Sequence, residues 1–286
     1  MLKNMADKAP EIWKLVFTTH NLPAAEAALE AYGATTWSTE RPEDLTDQPW
    51  LFSIYFEGKP ELAGLSLPSD AEPELALLPN KDWVSESQEN LPPVAIAPFY
   101  LHGSHDAPRA GSWRNIEMQA GLAFGSGHHG STQGCLVLFA QMLKHKRPFS
   151  VADIGCGSGT LAIAAARAGI DDILASDNDP VAVEVTRANM RLNGVSSAIR
   201  TFVASGTDHR QYHGRRFDVL FANIMAKPLI RLARDFERHL AEDGRLILAG
   251  LMNEQARKVM ARFRACGFKV EQKTIIGQWT SLCLKR

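Results

Sequence analysis

The sequence predicts a doubly wound α/β fold, a mostly parallel sheet with helices on both faces, preceded by a small α+β unit. From about residue 130 onwards, short apolar runs alternate with segments of helical period. This alternation is typical of a parallel sheet covered by helices. The last two strand-like runs have only Gly277-Gln278 between them, so they should pair antiparallel.

The first 90 residues form the small unit in this prediction. Residues 12–19 alternate as a strand does, and residues 50–56 form a second strand candidate. Between them Asn21 is placed to cap a helix that has Pro23 in its first turn and ends at Gly33. We therefore expect a domain at residues 1–90.

A proline-rich stretch separates this unit from the rest of the chain. Residues 91–113 carry four prolines and three turn signals, which favours a linker. A short strand at 93–102, paired with either half, is an open alternative. The second domain then covers residues 114–286.

The second domain is predicted to contain seven strands and several helices. The strand candidates are the apolar runs 149–155, 172–177, 200–205, 217–223, 244–251, 268–277 and 279–286. Helical segments follow four of them, at 159–169, 179–194, 226–240 and 253–266.

Composition narrows the class of protein. The chain has 31 Lys and Arg against 32 Asp and Glu and is 45% apolar, as a globular protein is. The net charge of −1 argues against bulk neutralisation of phosphates, so we expect no stable nucleic-acid binding, although a local basic patch stays open. With no apolar run near 20 residues and no signal sequence, a cytoplasmic protein without membrane attachment is expected. The four separated cysteines should be reduced thiols.

A glycine-rich turn carries the clearest chemical signal. Asp153 and the glycines at 155, 157 and 159 lie where a predicted strand ends and a helix begins. Glycine lets the backbone approach a ligand closely, and the helix N-terminus offers free N–H groups. Asp177 ends the next strand, where an acidic side chain can accept hydrogen bonds from ribose hydroxyls. Together these features indicate a cofactor that contains a nucleoside.

The glycine spacing discriminates among such cofactors. A dinucleotide site expects G-x-G-x-x-G, whereas this loop has G-x-G-x-G preceded by Asp153, and no phosphate-binding P-loop motif occurs. The loop resembles that of class I S-adenosylmethionine-dependent methyltransferases. The resemblance implies a Rossmann-like seven-stranded sheet with S-adenosyl-L-methionine as cofactor.

Two further stretches resemble signatures of PrmA-type ribosomal protein methyltransferases. They are GLAFGSGHHGST at 121–132 and ANIMAKPL at 222–229. The resemblance implies a substrate-recognition domain at residues 1–90, a linker and a catalytic domain at 114–286. It also implies ribosomal protein L11 as the substrate and partner. We expect a monomer.

The resemblance also implies which residues form the site. Cofactor contacts are expected from Thr132, Asp153, Gly155, Gly157, Gly159, Asp177 and Asn223. Phe124 either covers the cofactor or the amine pocket or packs within its loop. Three residues of the first signature differ from many members: Ser126, Gly130 and Ser131 stand where Thr, Pro and Thr are frequent.

Methyl transfer to an amine sets requirements of its own. A lysine with a pKa of ~10.4 must lose its proton, at a cost of roughly 4.6 kcal/mol at pH 7, whereas an α-amine costs only about 1 kcal/mol. We expect a pocket that excludes water and an acceptor that aims the nitrogen lone pair. Asn223 is the predicted catalytic residue, with its side-chain carbonyl or the next backbone carbonyl as the acceptor. Closing the turn and capping the following helix is its structural alternative.

Other functions fit the sequence less well. A lysine methyltransferase for another protein, such as the electron transfer flavoprotein beta subunit, is the alternative, although those enzymes lack a comparable amino-terminal domain. A small-molecule or nucleic-acid methyltransferase would have an N-P-P-Y-like motif, and a nicotinamide dehydrogenase another glycine spacing. A module that only binds the cofactor is disfavoured because loop, acid and Asn are all present. His128 and His129 are expected to order their loop, and no metal site is expected.

Overall fold

The computed structural model describes residues 12–34, 37–40, 48–77, 92–118 and 129–286. The chain divides into two compact units, residues 1–83 and 84–286. Within the described residues no helix has the length and apolar character needed to cross a membrane.

The first unit has a four-stranded antiparallel sheet and, among its described residues, one α-helix and a short 3-10 helix at Leu62–Gly64. The sheet order is β2-β3-β1-β4, and the helix α1 (Leu22–Tyr32) follows β1. The strands are β1 (Ile12–Thr19), β2 (Trp37–Glu40), β3 (Trp50–Glu57) and β4 (Glu74–Leu77). The side chain of Asn21 accepts a hydrogen bond from the N–H of Ala24, and Gly33 ends the helix at φ 82°. The predicted first strand and its capped helix are therefore confirmed.

The second unit is built on a seven-stranded sheet in the order β10-β9-β8-β11-β12-β14-β13. The pairs among the first five strands are parallel, and β14 is antiparallel to both of its neighbours. The doubly wound fold and its final hairpin are thus confirmed. The strands are β8 (Ser150–Ile154), β9 (Asp172–Asp177), β10 (Ile199–Val203), β11 (Phe217–Asn223), β12 (Leu240–Met252), β13 (Lys269–Ile276) and β14 (Trp279–Lys285).

Five described helices belong to this unit, and they pack into two cores on opposite faces of the sheet. Alternate residues of each strand point to opposite faces, so Phe221 contributes to one core and Leu220 to the other. The helices are α2 (Gly130–Leu143), α3 (Thr160–Arg167), α4 (Pro180–Leu192), α5 (Ala226–His239) and α6 (Asn253–Ala265). The first core takes side chains from α2, α3 and α4, and the second takes them from α5 and α6.

A small third sheet precedes the large one. It consists of β5 (Val94–Ile96), β6 (Phe99–His102) and β7 (Arg114–Glu117), with β6 antiparallel to β5 and parallel to β7. The stretch predicted as a linker, 91–113, thus contains two strands of the second unit. The functional division of the chain into recognition domain, linker and catalytic domain stays a prediction.

Candidate active site

The candidate site lies at the carboxyl ends of β8, β9 and β11, which are neighbours in the sheet. The glycine-rich loop follows β8. In it Gly155, Gly157 and Gly159 have φ 74°, 55° and 81°, values that residues other than glycine rarely adopt. The N–H groups of Gly155 and Cys156 donate to the carbonyl oxygen of Ser176, at 2.8 and 3.0 Å. The loop is therefore hydrogen-bonded to the carboxyl end of β9.

Asp177, at the end of β9, holds the same loop from its side chain. One carboxylate oxygen accepts from the N–H of Gly157 at 2.9 Å, and the other accepts from the N–H of Asp179 at 3.1 Å. Burial raises the pKa of Asp177 above its ordinary value, and these two N–H groups act in the opposite direction. Each oxygen retains a second lone pair for a ligand hydroxyl.

Asp153 is a buried carboxyl group with one unused oxygen. Its Oδ2 accepts from the N–H of Ala162 at 3.1 Å, whereas Oδ1 is buried and has no partner among the described residues. Burial raises the pKa of Asp153 to about 7, and the charge of Asp177 adds a smaller contribution in the same direction. A buried acceptor of this kind is costly unless something donates to it.

Asn223 presents a second buried acceptor, on the neighbouring strand β11. Its Nδ2 donates to Oγ1 of Thr132 at 3.2 Å, and its Oδ1 has no hydrogen-bond partner within the described part of the chain. Helix α5 begins after Met225, which gives it no side-chain cap. The side chain of Asn223 therefore does not cap this helix.

Ile224 brings the turn after β11 against the glycine loop. A Cβ added to Gly155 would lie 2.2 Å from Cγ2 of Ile224, and one added to Gly250 would lie 2.5 Å from the Ile224 carbonyl oxygen. Gly250 itself has φ 77°. The motif residues alone did not reveal this contact, but a glycine inside a strand pattern signals a close backbone approach, and Gly250 carried that signal.

Helix α4 supports the loop from behind with two buried polar side chains. Oγ1 of Thr186 donates to the carbonyl oxygen of Gly157 at 2.8 Å, and Nδ2 of Asn189 donates to that of Ser158 at 2.9 Å. Neither residue belongs to a recognisable motif. Their polar character within the buried face of an amphipathic helix is the only signal the sequence carries.

His129 orders the start of α2, as the sequence led us to expect. Its Nδ1 accepts from the N–H of Ser131 and lies 2.7 Å from Oγ of that residue, and its ring centroid is 4.2 Å from that of Trp279. Burial lowers the pKa of His129 to about 4, so the ring is neutral at pH 7. The sequence did not single out Trp279. Phe124 and His128 lie outside the described residues.

The described residues contain no group of three or more His, Cys, Asp or Glu that could hold a metal ion. In the same residues all four cysteines are free thiols, and three of them are buried.

The chain resembles proteins of known family over nearly its whole length. A family model described as ribosomal protein L11 methyltransferase (PrmA) matches residues 59–286. The chain belongs to the PrmA family. A relative named ribosomal protein L11 methyltransferase from Bradyrhizobium diazoefficiens is 42% identical over 86% of each chain. One of the same name from Mesorhizobium japonicum is 41% identical over 95% of this chain and 98% of its own.

A solved PrmA-family structure has the same fold. The crystal structure of a ribosomal protein L11 methylase from Lactobacillus delbrueckii subsp. bulgaricus is 29% identical, with a TM-score of 0.61. The similarity covers 68% of this chain and 98% of the other. Membership of the PrmA family agrees with the two signatures at 121–132 and 222–229.

Proposed function

We propose that this PrmA-family chain transfers methyl groups from S-adenosyl-L-methionine to amino groups of ribosomal protein L11. Lysine side chains are the main acceptors, and the α-amine is a further one. The observation that carries the proposal is the pair of buried oxygens without partners in the described chain, Oδ1 of Asp153 and Oδ1 of Asn223. They lie on adjacent strands beside a loop that has no Cβ atoms at its three glycines.

The residues of the site fit the proposed cofactor. The acceptor on Asp153 suits the ammonium group of an amino acid, because a buried carboxylate oxygen needs a donor. Asp177 would accept hydrogen bonds from the ribose hydroxyls, and the three glycines with Thr132 would line the rest of the cofactor site. Phe124 stays a predicted contact. When bound, S-adenosyl-L-methionine supplies an electrophilic methyl group on a sulfonium.

Asn223 is proposed to orient the amine that is methylated. Its Oδ1 would accept an N–H of the neutral amine and so direct the nitrogen lone pair, while Thr132 keeps the amide in place through Nδ2. His129, with a pKa of about 4, is too weak a base to remove the proton from a lysine. Positioning and exclusion of water therefore carry most of the rate.

The first unit, with the predicted domain 1–90, is proposed to recognise the protein substrate. Support comes from the relatives named for L11, one of which matches 95% of this chain and therefore most of the first unit as well. We further propose that the enzyme acts as a monomer in the cytoplasm, where ribosomal proteins are available before assembly.

A competition assay tests this function against the alternative substrate. Purified unmethylated L11 and electron transfer flavoprotein are mixed in equal amounts with the enzyme and labelled S-adenosyl-L-methionine. Label on L11 alone is expected. Label on the flavoprotein alone would keep the site chemistry and overturn the substrate. If neither protein is labelled although the cofactor binds, L11 is not the methyl acceptor and the proposal is wrong.

A further inference from the structure

The exposed side of helix α5 is entirely basic. Only four of its residues are exposed, and all of them are Lys or Arg, at spacings of four, three and four that place them on one line along the helix. They are Lys227, Arg231, Arg234 and Arg238. At a rise of 1.5 Å per residue this line is about 16 Å long.

Helix α6 continues this basic surface. It packs beside α5, where Nε of Arg262 donates to the carbonyl oxygen of Ile230 at 3.2 Å. Arg257, Lys258 and Arg264 are exposed on it. The two helices together carry eight basic and three acidic residues, in a chain whose net charge is −1.

The acidic residues of the two helices do not interrupt the line. Asp235 and Glu237 are only partly exposed; the first pairs with Arg238 at 3.2 Å and the second with Arg286 at 3.0 Å. Glu254 is exposed, but it lies in the first turn of α6 and not on the α5 line. By contrast, the exposed charged residues of α3 and α4 are Arg167, Glu184 and Arg191, which leave those helices with mixed and sparse charge.

We propose that the α5–α6 surface binds the phosphate backbone of a double-stranded nucleic acid, for which an RNA duplex is the probe below. Three of the four residues on the α5 line are Arg, whose planar guanidinium binds phosphate oxygens in pairs. A line of about 16 Å is long enough to contact more than one phosphate of a duplex, whose charges are only a few ångströms apart along its axis. Contacts of this kind position a protein without reading sequence.

This surface revises the expectation drawn from the charge of the whole chain. A net charge of −1 averages the basic face of α5 and α6 with acidic groups located elsewhere, whereas phosphate contacts depend on the local charge. The α5 line begins at Lys227, four residues after Asn223, so this end of a bound nucleic acid would lie near the carboxyl edge of the sheet.

Binding of a 20-base-pair RNA duplex by the full chain, followed by fluorescence anisotropy at several salt concentrations, tests the proposal. The variant Arg231→Gln/Arg234→Gln should bind about tenfold more weakly at low salt. Its plot of log affinity against log salt should be shallower by about two, since each lost phosphate contact removes about 0.9. The matched control, Arg167→Gln/Arg191→Gln, removes the same charge from α3 and α4 and should bind as the wild type does.

Three results would overturn the proposal. They are no RNA binding at low salt, an equal loss in both double variants, and tighter binding of polyglutamate than of RNA, which would make an acidic polypeptide the partner. Methylation of free L11 should be unchanged in Arg231→Gln/Arg234→Gln. The RNA surface and the proposed methyl transfer can therefore fail independently.

Discussion

Two single atoms, Oδ1 of Asp153 and Oδ1 of Asn223, identify the site at the residue scale. Each is buried without a partner in the described chain, and leaving such a group unpaired costs about 1–3 kcal/mol. Proteins retain unpaired buried groups where a bound ligand pairs with them, and the free protein is then less stable than it could be. Both residues could be named from the sequence, but their unpaired oxygens could not, because burial depends on the packed structure.

Replacing Asn223 tests its role as the acceptor for the amine. Asn223→Ala should lower kcat about 100-fold, because the amine loses its orientation, while the affinity for S-adenosyl-L-methionine changes much less. Thr132→Val, which removes the group that holds the Asn223 amide, should lower kcat by a smaller factor. Initial rates on L11 and calorimetric titration of the cofactor measure both effects. Unchanged kcat in Asn223→Ala at neutral pH would remove this residue from catalysis.

Asp153 makes the stability of the free protein depend on pH. Because burial raises its pKa from 3.8 to about 7, the folded protein retains a proton that the unfolded chain releases between these values. Stability contributed by the protonated form is therefore lost as the pH rises, by up to about 4 kcal/mol above pH 7. Asp153→Asn should be more stable than the wild type at pH 8, and this difference in stability should be smaller at pH 5. The variant should also bind the cofactor more weakly. Urea unfolding without cofactor measures the difference in stability, and a variant less stable than wild type at pH 8 would contradict it.

At the scale of elements, the site depends on contacts between three connecting segments. The loop after β8, the end of β9 and the turn after β11 contact one another through Ser176 and Ile224. The sequence predicted that these strand ends meet, because parallel strands place their carboxyl ends at one edge of the sheet. Ser176 and Thr186 could not be predicted as contact partners, since they belong to no motif, whereas Gly250 carried only the general signal of a glycine inside a strand pattern.

Gly250 should be essential for the position of the turn that carries Asn223. Gly250→Ala would place a methyl group against the Ile224 carbonyl, in addition to the cost of about 1–2 kcal/mol for a side chain at φ 77°. Gly214→Ala is the matched control: it has φ 70° and nothing within 4 Å of the added Cβ. We expect both variants to lose stability and only Gly250→Ala to lose most of its methyl transfer. Equal activity in the two variants would contradict the contact.

Helix α4 should affect cofactor affinity through Thr186. Thr186→Val leaves the Gly157 carbonyl without its donor and should weaken binding of S-adenosyl-L-methionine about tenfold, as a lost bond of about 1–3 kcal/mol implies. Thr186→Ser retains the hydroxyl and should change affinity less than threefold. Calorimetric titration distinguishes these outcomes; equal weakening in both variants would contradict a specific role of the hydroxyl group, because Ser keeps the hydroxyl and Val does not.

At the scale of the whole molecule, the sequence predicted the second unit best. Seven apolar runs became the seven strands of the large sheet, because every strand there is long enough to show its period. The strands within residues 92–118 were harder to predict, since β5 and β6 have only three and four residues and are separated by proline and turn residues. The basic face of α5 was visible as spaced arginines, but only the exposed fractions of its residues show that no other kind of side chain shares it.

The most direct test of the central claim is to locate the transferred methyl groups. Purified unmethylated L11 is incubated with the wild-type protein and isotopically labelled S-adenosyl-L-methionine, and its peptides are mapped by mass spectrometry. We expect label on amino groups of L11, on lysine side chains and at the amino terminus. Unlabelled L11, or label on carboxylate or other non-amine groups, would contradict the account of Asn223 as the acceptor that orients an amine.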